Sequence, residues 1–286
     1  MDIGIGLPST IPGVTGAELV DWAQRAERHG FSTLGTIDRI AYGNYEPLTA
    51  LAAAAAVTER IHLGTTILIA PLRPNAVLLA KQAATVQHLS GGRLVLGLAP
   101  GGRGDDYEVS GLDIHTRGRD FDRQLEQMQH VWAGEEKGFA GPIGPNIDDP
   151  PTLLIGGTAD AAFRRAAEHA DGWIMGGGSP DQFRAGAEKL AQAWQAAGRT
   201  GQPRKAALAY FSLGPEAEAN AAHYLGDYYG FLGDEIAQAI IGSAATDETT
   251  VKQYLSAFEA SGCDELIIFP CSSNPEQVDL LAEATA

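Results

Sequence analysis

The chain has 286 residues, a length at which one or two domains are equally compatible and which α/β barrels reach as a single domain. Hydrophobic residues make up 44% of the chain, which suits a packed globular core. The formal net charge of -16 repels nucleic-acid phosphates and anionic lipid headgroups. We therefore predict one domain over residues 1–286 that has neither nucleic acid nor a membrane as a partner.

Eight strand-like runs alternate with helical segments along the chain. The strands are predicted at residues 3–8, 33–38, 61–70, 93–98, 152–155, 172–175, 206–213 and 265–269. Helical spacing occupies residues 17–29, 48–58, 76–89, 160–169 and 181–197. The alternation predicts a parallel sheet covered by helices, and the class that fits best is α/β, a (β/α)8 barrel. The rival doubly wound sheet would need a glycine fingerprint after the first strand, where none occurs.

Residue types at the segment ends support these boundaries. Thr15 with Glu18 forms a capping-box pattern, and Ser179-Pro180 and Asn274-Pro275 each place a capping residue before proline. Three glycines that follow helices are predicted to reverse the chain in the left-handed region: Gly30, Gly172 and Gly262.

Two intervals are much longer than an ordinary βα unit. They contain residues 101–146, after the fourth strand, and residues 214–246, after the seventh. In a barrel the loops that follow strands form the active face. We therefore expect these two insertions to wall or cover the site.

Cysteines and targeting signals indicate an intracellular context. Cys263 and Cys271 lie in or beside one predicted strand, so no structural disulfide is expected. The chain opens directly with a strand, without a basic segment followed by a long apolar run, and its longest apolar run, residues 50–57, is too short to span a bilayer. We expect a cytoplasmic protein.

Several motifs resemble one known family. The run Leu-Ser-Gly-Gly-Arg-Leu-Val-Leu-Gly-Leu at residues 89–98 is similar to the "LSxGRxxxGxxxG" signature around the fourth strand of the bacterial luciferase-like superfamily. Residues 26–31, 58–65, 154–158 and 166–173 resemble its other strand junctions. The resemblance implies a barrel that holds FMN or the deazaflavin F420 and performs monooxygenation or hydride transfer on a small organic substrate.

Two glycine-rich turns are candidates for the cofactor phosphate. Small residues between a strand and a helix let an anion approach the amides at the helix N-terminus. The first turn is Gly156, Gly157 and Thr158, which an ordinary tight turn would also explain, and the second is Gly176, Gly177, Gly178 and Ser179, which a flexible loop would also explain. Arg103, after the fourth strand, is a further phosphate candidate, although a solvated loop arginine has the same sequence pattern.

The end of the second strand carries Asp38 and Arg39. The resemblance implies an acidic residue followed by a histidine that acts in proton transfer, and Arg39 replaces that histidine here. Arg39 cannot act as a base near neutral pH but can pair with an anionic ring or a substrate carboxylate. The alternative is an ion pair with Asp38 or Glu46. Asp105 and Asp106 are expected to orient a substrate or to form ion pairs with Arg117 or Arg119.

Further residues are expected at the barrel mouth. Leu7 and Pro8 follow the first strand, Tyr42 or Tyr45 the second, and Ile69, Ala70 and Arg73 the third. The family resemblance implies a bulge or a non-proline cis bond beneath the flavin, which we place at Ile69-Ala70.

Other chemistries have little support in the sequence. Seven histidines are scattered without zinc-ligand spacing, so no metal is expected, and only His115, in the first insertion, is a candidate acid or base. No nucleophile elbow is present for a hydrolase. A Schiff-base aldolase would need a lysine at the active face, whereas Lys205 lies at the opposite strand end.

The sequence therefore predicts an oxidoreductase that binds FMN or F420 across the barrel mouth. With FMN, a separate flavin reductase would supply reduced cofactor, whereas with F420 hydride would move directly to or from the substrate. The family resemblance also implies a homodimer. The alternative is a flavin- or ligand-binding barrel without catalysis.

Overall fold

The computed structural model describes residues 1–286. Eight parallel strands form a closed barrel in the order β1-β10-β9-β8-β7-β4-β3-β2. Their bounds are Asp2–Gly6 (β1), Thr33–Thr36 (β2), His62–Ile69 (β3), Leu94–Ala99 (β4), Thr152–Gly156 (β7), Gly172–Met175 (β8), Arg204–Phe211 (β9) and Glu265–Pro270 (β10). A separate hairpin pairs β5 (Lys137–Gly138) with β6 (Gly141–Pro142). The predicted (β/α)8 barrel is confirmed.

Helices alternate with the barrel strands. They are α1 (Gly16–His29), α2 (Pro47–Ala55), α3 (Ala76–Leu89), α4 (Gly104–Val109), α5 (Arg117–Trp132), α6 (Asp160–His169), α7 (Pro180–Ala196), α8 (Ala217–Tyr229), α9 (Asp234–Ile241), α10 (Glu248–Ala260) and α11 (Glu276–Thr285). The predicted segments 76–89 and 160–169 match α3 and α6 at both ends.

The core has two layers because successive strand residues point to opposite faces of the sheet. On β4, Leu94, Leu96 and Leu98 belong to the larger cluster between barrel and helices, whereas Val95 belongs to the cluster inside the barrel. Gly97 must remain small, since an added Cβ would lie 2.2 Å from the Thr65 carbonyl oxygen.

Most of the predicted helix ends are confirmed. Thr15 and Ser179 each cap a helix through a complete capping box, and Gly30 and Gly262 have φ of about 80°. The prediction for Gly172 is wrong: its φ is not positive, and it is the first residue of β8. An added Cβ there would lie 1.9 Å from the Arg204 carbonyl oxygen, so close approach to β9 explains this glycine.

Both insertions lie where the sequence predicts them. The first contains α4, a 3-10 helix at Ile114–Thr116, the barrel helix α5 and the β5–β6 hairpin; the second contains α8, a 3-10 helix at Gly230–Leu232 and α9. Tyr224, Leu225 and Tyr228 of α8 pack in the same cluster as Ile267 and Phe269 of β10. The second insertion therefore covers part of the mouth.

Strand β3 is irregular near its C-terminal end. Its register against β4 shifts between Thr65 and Leu68, and the Thr66-Ile67 peptide bond is cis. Side chains bond to the neighbouring strands at this point, since Thr65 Oγ1 donates to Gly97 O at 2.8 Å and Thr66 Oγ1 to Thr36 O at 3.1 Å. The expected irregularity exists, but the placement at Ile69-Ala70 is wrong by three residues, because the bulge lies inside the strand rather than after it.

Two further features concern the whole chain. Cys263 and Cys271 are free and buried. None of the helices combines the length and the apolar character that crossing a bilayer requires.

Candidate active site at the barrel mouth

One side of the mouth is formed by glycines that face the irregular part of β3. β7 and β8 are paired neighbours, so Gly156 and Gly176 lie beside each other at their ends. An added Cβ on Gly156 would lie 2.3 Å from Ile67 Cδ1, and one on Gly176 would lie 3.3 Å from the same atom. The turns Gly156, Gly157, Thr158 and Gly176, Gly177, Gly178, Ser179, together with Ile67, are called the glycine side below.

The two glycine turns lead into helices with different N-termini. α6 begins behind Ala159, which has no side-chain cap, so its first-turn amides have no side-chain acceptor. In α7, Ser179 Oγ accepts from Gln182 N while Ser179 N donates to Gln182 Oε1 at 2.8 Å. Free amides at a helix N-terminus attract anions. Of the two predicted phosphate sites, the turn before α6 is the one whose helix N-terminus has no side-chain cap.

Asp38 supports the end of β3. Its Oδ2 accepts from Ile69 N at 2.8 Å and from Arg73 Nη1 at 2.7 Å, and its Oδ1 accepts from Arg73 Nη2 at 3.1 Å. Arg73 also binds Glu46 at 2.9 Å. Burial lowers the pKa of Arg73, but the two carboxylates raise it above its ordinary value overall. Asp38 is thus fully engaged on the side of β3.

Arg39 joins the second strand to the first insertion. Its Nε donates to Asp106 at 2.8 Å and its Nη2 to Asp105 at 2.6 Å, and its side chain is only 4% exposed. Asp106 Oδ1 accepts from the backbone amides of Ile40 and Ala41. The expected partners of both groups are therefore corrected: Arg39 pairs with neither Asp38 nor Glu46, and the two aspartates pair with neither Arg117 nor Arg119, because the fold brings the loop after β2 against α4.

Tyrosines after β2, on β9 and on α8 form another part of the mouth. Tyr210 Oη lies 2.7 Å from Tyr229 Oη, Tyr224 Oη lies 2.5 Å from Thr10 Oγ1, and Tyr42 Oη donates to Asp227 at 2.5 Å. Burial raises the pKa of Tyr210 and of Tyr224 well above the ordinary value, so both remain neutral phenols near neutral pH. The group called the tyrosine side below consists of Tyr42, Tyr210, Tyr224, Tyr228 and Tyr229.

Arg103 lies against this tyrosine side. Its Cζ is 3.8 Å from the ring centre of Phe231 and 4.5 Å from that of Tyr228, and its Nη2 donates to Tyr228 O at 3.0 Å. Burial lowers the pKa of Arg103. Among the arginines at the mouth, it is the one without a carboxylate partner, since Arg39 and Arg73 are both paired. Its role toward a phosphate stays a prediction.

The other predicted mouth residues have separate locations. Leu7 and Ala70 are buried in the layer between barrel and helices, and Ile69 packs with Leu72 and Tyr107. Pro8 is buried at the end of β1. His115 is exposed in the 3-10 helix before α5, where its backbone amide donates to Asp113 and no hydrogen bond involves its ring. The structure thus brings the glycines together with Ile67 but leaves His115 apart from the tyrosines.

No cluster of three or more metal-binding side chains occurs in the structure. The buried thiols are also unsuited to bind a cation or to act as nucleophiles, because burial raises the pKa of Cys271 to about 12. The chemistry available at the mouth is therefore that of backbone amides, guanidinium groups and phenols.

Comparison with known families assigns the chain. The model of the luciferase-like monooxygenase family matches residues 1–268, and the chain belongs to this family. An uncharacterised protein of Mycobacterium tuberculosis (strain ATCC 25618 / H37Rv) is 35% identical over 191 residues, which are 56% of this chain and 66% of the relative. An F420-dependent glucose-6-phosphate dehydrogenase of Nakamurella multipartita is 31% identical over 179 residues, which are 57% of this chain and 52% of that protein. The matched segments span two thirds or less of these relatives' own lengths.

Solved structures show the same fold over the whole chain. An F420-dependent secondary alcohol dehydrogenase in complex with an F420-acetone adduct superposes with a TM-score of 0.83, covering 99% of this chain and 97% of that one at 18% identity. The monooxygenase RslO1 from Streptomyces bottropensis superposes with a TM-score of 0.76, covering 99% and 98% at 21% identity. At these identities the similarity establishes the barrel architecture.

Sequence reasoning missed most of the tyrosine side. Tyr42 was expected at the mouth, but Tyr210, Tyr224, Tyr228 and Tyr229 were not. The available signal was the spacing of Tyr224 and Tyr228, which puts both on one face of a helix in the second insertion. Nothing local shows that this face turns toward the barrel.

Proposed function

We propose that the protein is an oxidoreductase that binds F420 or FMN on the glycine side of the mouth, and that F420-type hydride transfer is its reaction. The observation that carries the proposal is the exposed backbone of Gly176, Gly177 and Gly178 beside the uncapped N-terminus of α6, with the Ile67 side chain packed close against Gly156 and Gly176. The family membership and the F420-dependent relative support the same cofactor class.

The residues present fit such a cofactor. Free amides before α6 would hold its phosphate, and Gly176, Gly177 and Gly178 expose their backbone next to that point. Ile67 would lie against the flat ring from the side of β3, held there by the contacts of Asp38 with Ile69 N and Arg73. When bound, the cofactor supplies or accepts a hydride.

We prefer hydride transfer to monooxygenation because of the two residues at the end of β2, Asp38 and Arg39. Neither Asp38 nor Arg39 can serve as a proton-transfer group there, since each is buried and paired with opposite charges. A flavin monooxygenase that uses the family histidine at this place would lack its acid or base. The remaining protic groups of the mouth are phenols, which suit protonation of a substrate oxygen.

The class of substrate, the number of domains and the oligomeric state are also proposals. We propose an uncharged small organic substrate between the ring and the tyrosine side, because both signs of charge are already present there. The guanidinium groups are those of Arg39, Arg73 and Arg103, and the carboxylates are those of Asp38, Glu46, Asp105, Asp106 and Asp227. We also propose that residues 1–286 act as one domain, since β1 and β10 pair, and that the protein forms a homodimer. A partner reductase would be needed only with FMN.

Fluorescence titration of the purified protein with F420 and with FMN tests this function. We expect saturable binding of F420 and weaker binding of FMN, followed by cofactor reduction or oxidation with alcohols or ketones. Tight FMN binding with oxygen consumption would instead indicate a monooxygenase. Binding without any turnover would indicate the non-catalytic barrel, and no binding of either cofactor would contradict the proposal.

A further inference from the structure

One tyrosine hydroxyl at the mouth differs from all the others. The chain has eight tyrosines, and seven of their hydroxyl groups form hydrogen bonds within the protein: those of Tyr42, Tyr45, Tyr107, Tyr210, Tyr224, Tyr229 and Tyr254. Tyr228 is only 3% exposed, yet its Oη has no partner. A buried phenol ordinarily satisfies its hydroxyl.

The hydroxyl of Tyr228 is not sealed inside the protein. Six side-chain atoms are both inaccessible to solvent and without a partner, and Tyr228 Oη is not among them. The ring is therefore enclosed while the hydroxyl keeps some contact with solvent. This arrangement leaves an O–H donor available to a ligand.

The surroundings of Tyr228 place its ring at the mouth. Its ring centre lies 5.7 Å from Arg39 Cζ, at the end of β2, and 4.5 Å from Arg103 Cζ, after β4. The ring of Tyr42 packs edge-on against it at 5.2 Å. Groups that follow two different barrel strands thus converge on one residue of α8.

Other protic groups nearby are already engaged. Asp38 is bound by Arg73 and the Ile69 amide, Asp106 by Arg39, and Tyr229 by Tyr210. Burial raises the pKa of Cys271 to about 12, which makes its thiol a poor acid and keeps it unionised. Ser9 Oγ, in the loop after β1, also has no partner but is inaccessible to solvent, so Tyr228 is left as the unengaged donor that a ligand can reach.

We propose that Tyr228 is the proton donor of the mouth, acting on the oxygen of an uncharged carbonyl substrate. This rests on the proposed function. In the reductive direction the Tyr228 O–H bond breaks and an O–H bond forms on the substrate, whose carbonyl carbon takes the hydride of the reduced cofactor. Solvent then returns a proton to the phenolate, and oxidation of the alcohol reverses these transfers.

The electrostatics of the site agree with that direction of transfer. Burial raises the pKa of Tyr228, and the phenol of Tyr229 and the carboxylate of Asp38 raise it further. Arg103 and Arg39 lower it. Because the net effect is an increase, Tyr228 is protonated at neutral pH. The two guanidinium groups stabilise the phenolate that forms when it donates. Arg39 and Arg103 are positioning residues in this scheme.

Fluorine NMR on the full-length, cofactor-free protein tests the free donor directly. 3-Fluorotyrosine is placed at position 228 or, as a matched control, at 229, and cyclohexanone or cyclohexanecarboxylate is titrated in. We expect a saturable shift of the 228 resonance with the ketone, little response to the carboxylate, and little response at 229. A response only at 229, no response to the ketone up to its solubility limit, or a stronger response to the carboxylate would overturn the proposal.

Kinetics of Tyr228→Phe and Tyr229→Phe provide the second test. Loss of a general acid lowers kcat by about 100-fold or more. We expect that loss for Tyr228→Phe with KM and cofactor affinity nearly unchanged, and a much smaller loss for Tyr229→Phe. Equal kcat values for Tyr228→Phe and the native protein would overturn the proposal. Failure of the native protein to bind cofactor would instead contradict the proposed function, and the NMR result would still decide the role of Tyr228.

Discussion

The glycine side and the tyrosine side of the mouth offer a ligand different kinds of groups. On the glycine side, the turn after β8 exposes the backbone of Gly176, Gly177 and Gly178, and the helix beyond the turn after β7 has no side-chain cap. On the tyrosine side, α8 and β9 present phenols, several of which bond to each other or to neighbouring side chains. A backbone surface suits a cofactor, because it does not depend on the identity of side chains. A side-chain surface suits a substrate, because single substitutions can change what it binds. The variants below are designed to separate these two roles.

The largest expected effect is that of Asp38→Asn on the free energy of unfolding, because Asp38 holds the end of β3 next to Ile67. Removing one partner of a buried ion pair costs about 3–5 kcal/mol because the other charge stays buried. Here Arg73 keeps only Glu46, and the support of the Ile69 amide is weakened. Urea unfolding should show this loss of the free energy of unfolding.

The control for Asp38→Asn is Arg184→Gln, which removes an exposed pair with Asp181. Such pairs contribute about 0–1 kcal/mol. If both variants lose the same free energy of unfolding, the supporting role of Asp38 is wrong.

Gly156→Val should impair the glycine side itself. A side chain there must displace Ile67, which would lie against the ring, so we expect cofactor affinity to fall by about 100-fold, which corresponds to about 2.7 kcal/mol. Fluorescence titration measures this change. Adding Ile67→Ala to the variant should restore part of the affinity, since it removes the atoms that the new side chain would contact.

Gly102→Ala is the matched control for Gly156→Val. An added Cβ meets nothing within 4 Å at Gly102, and its φ is not positive. Its cofactor affinity should equal that of the native protein. If Gly156→Val binds the cofactor as well as this control, the glycine side is not the binding site.

Alkaline pH should destabilise the protein through the buried thiol of Cys271, which packs with the tyrosine side. Burial raises the pKa of Cys271 from 9.0 to about 12, so the folded state holds a proton that the unfolded state loses above pH 9.0. The contribution is therefore complete below pH 9.0 and declines, by about 1.4 kcal/mol per pH unit, as pH rises toward 12. The buried tyrosines add loss of the same sign above their ordinary pKa.

Comparing Cys271→Ala with the native protein isolates this contribution. Chemical unfolding at several alkaline pH values should give the variant the shallower decline of the free energy of unfolding. Parallel declines in the two proteins would show that Cys271 titrates normally.

Tyr224→Phe should have the smallest effect. It removes the hydrogen bond to Thr10, at a cost of about 1 kcal/mol in the free energy of unfolding, and it should leave cofactor affinity unchanged because α8 lies on the tyrosine side. Thermal unfolding and cofactor titration measure the two quantities. A tenfold fall in cofactor affinity would mean that the two sides do not have separate roles.

The sequence predicted the barrel because its elements are locally encoded. Strands and helices follow from hydrophobic period and caps, and both glycine turns follow from composition, since a turn between strand and helix needs no distant partner. The irregularity of β3 was expected only through the family resemblance, and its position at Thr66-Ile67 could not be read from the residues.

Only the tertiary structure decided which charges and phenols meet. Arg39 and Asp106 are 67 residues apart and Thr10 and Tyr224 are 214 apart, yet each pair is bonded. Each pair forms because an insertion packs on the mouth. The partner that a side chain meets there takes the place of the other partners that its sequence neighbourhood suggests. The sequence by itself determined the architecture and the backbone turns, because these are local, whereas the folded chain decided that Arg39 is engaged and that Tyr228 is left free.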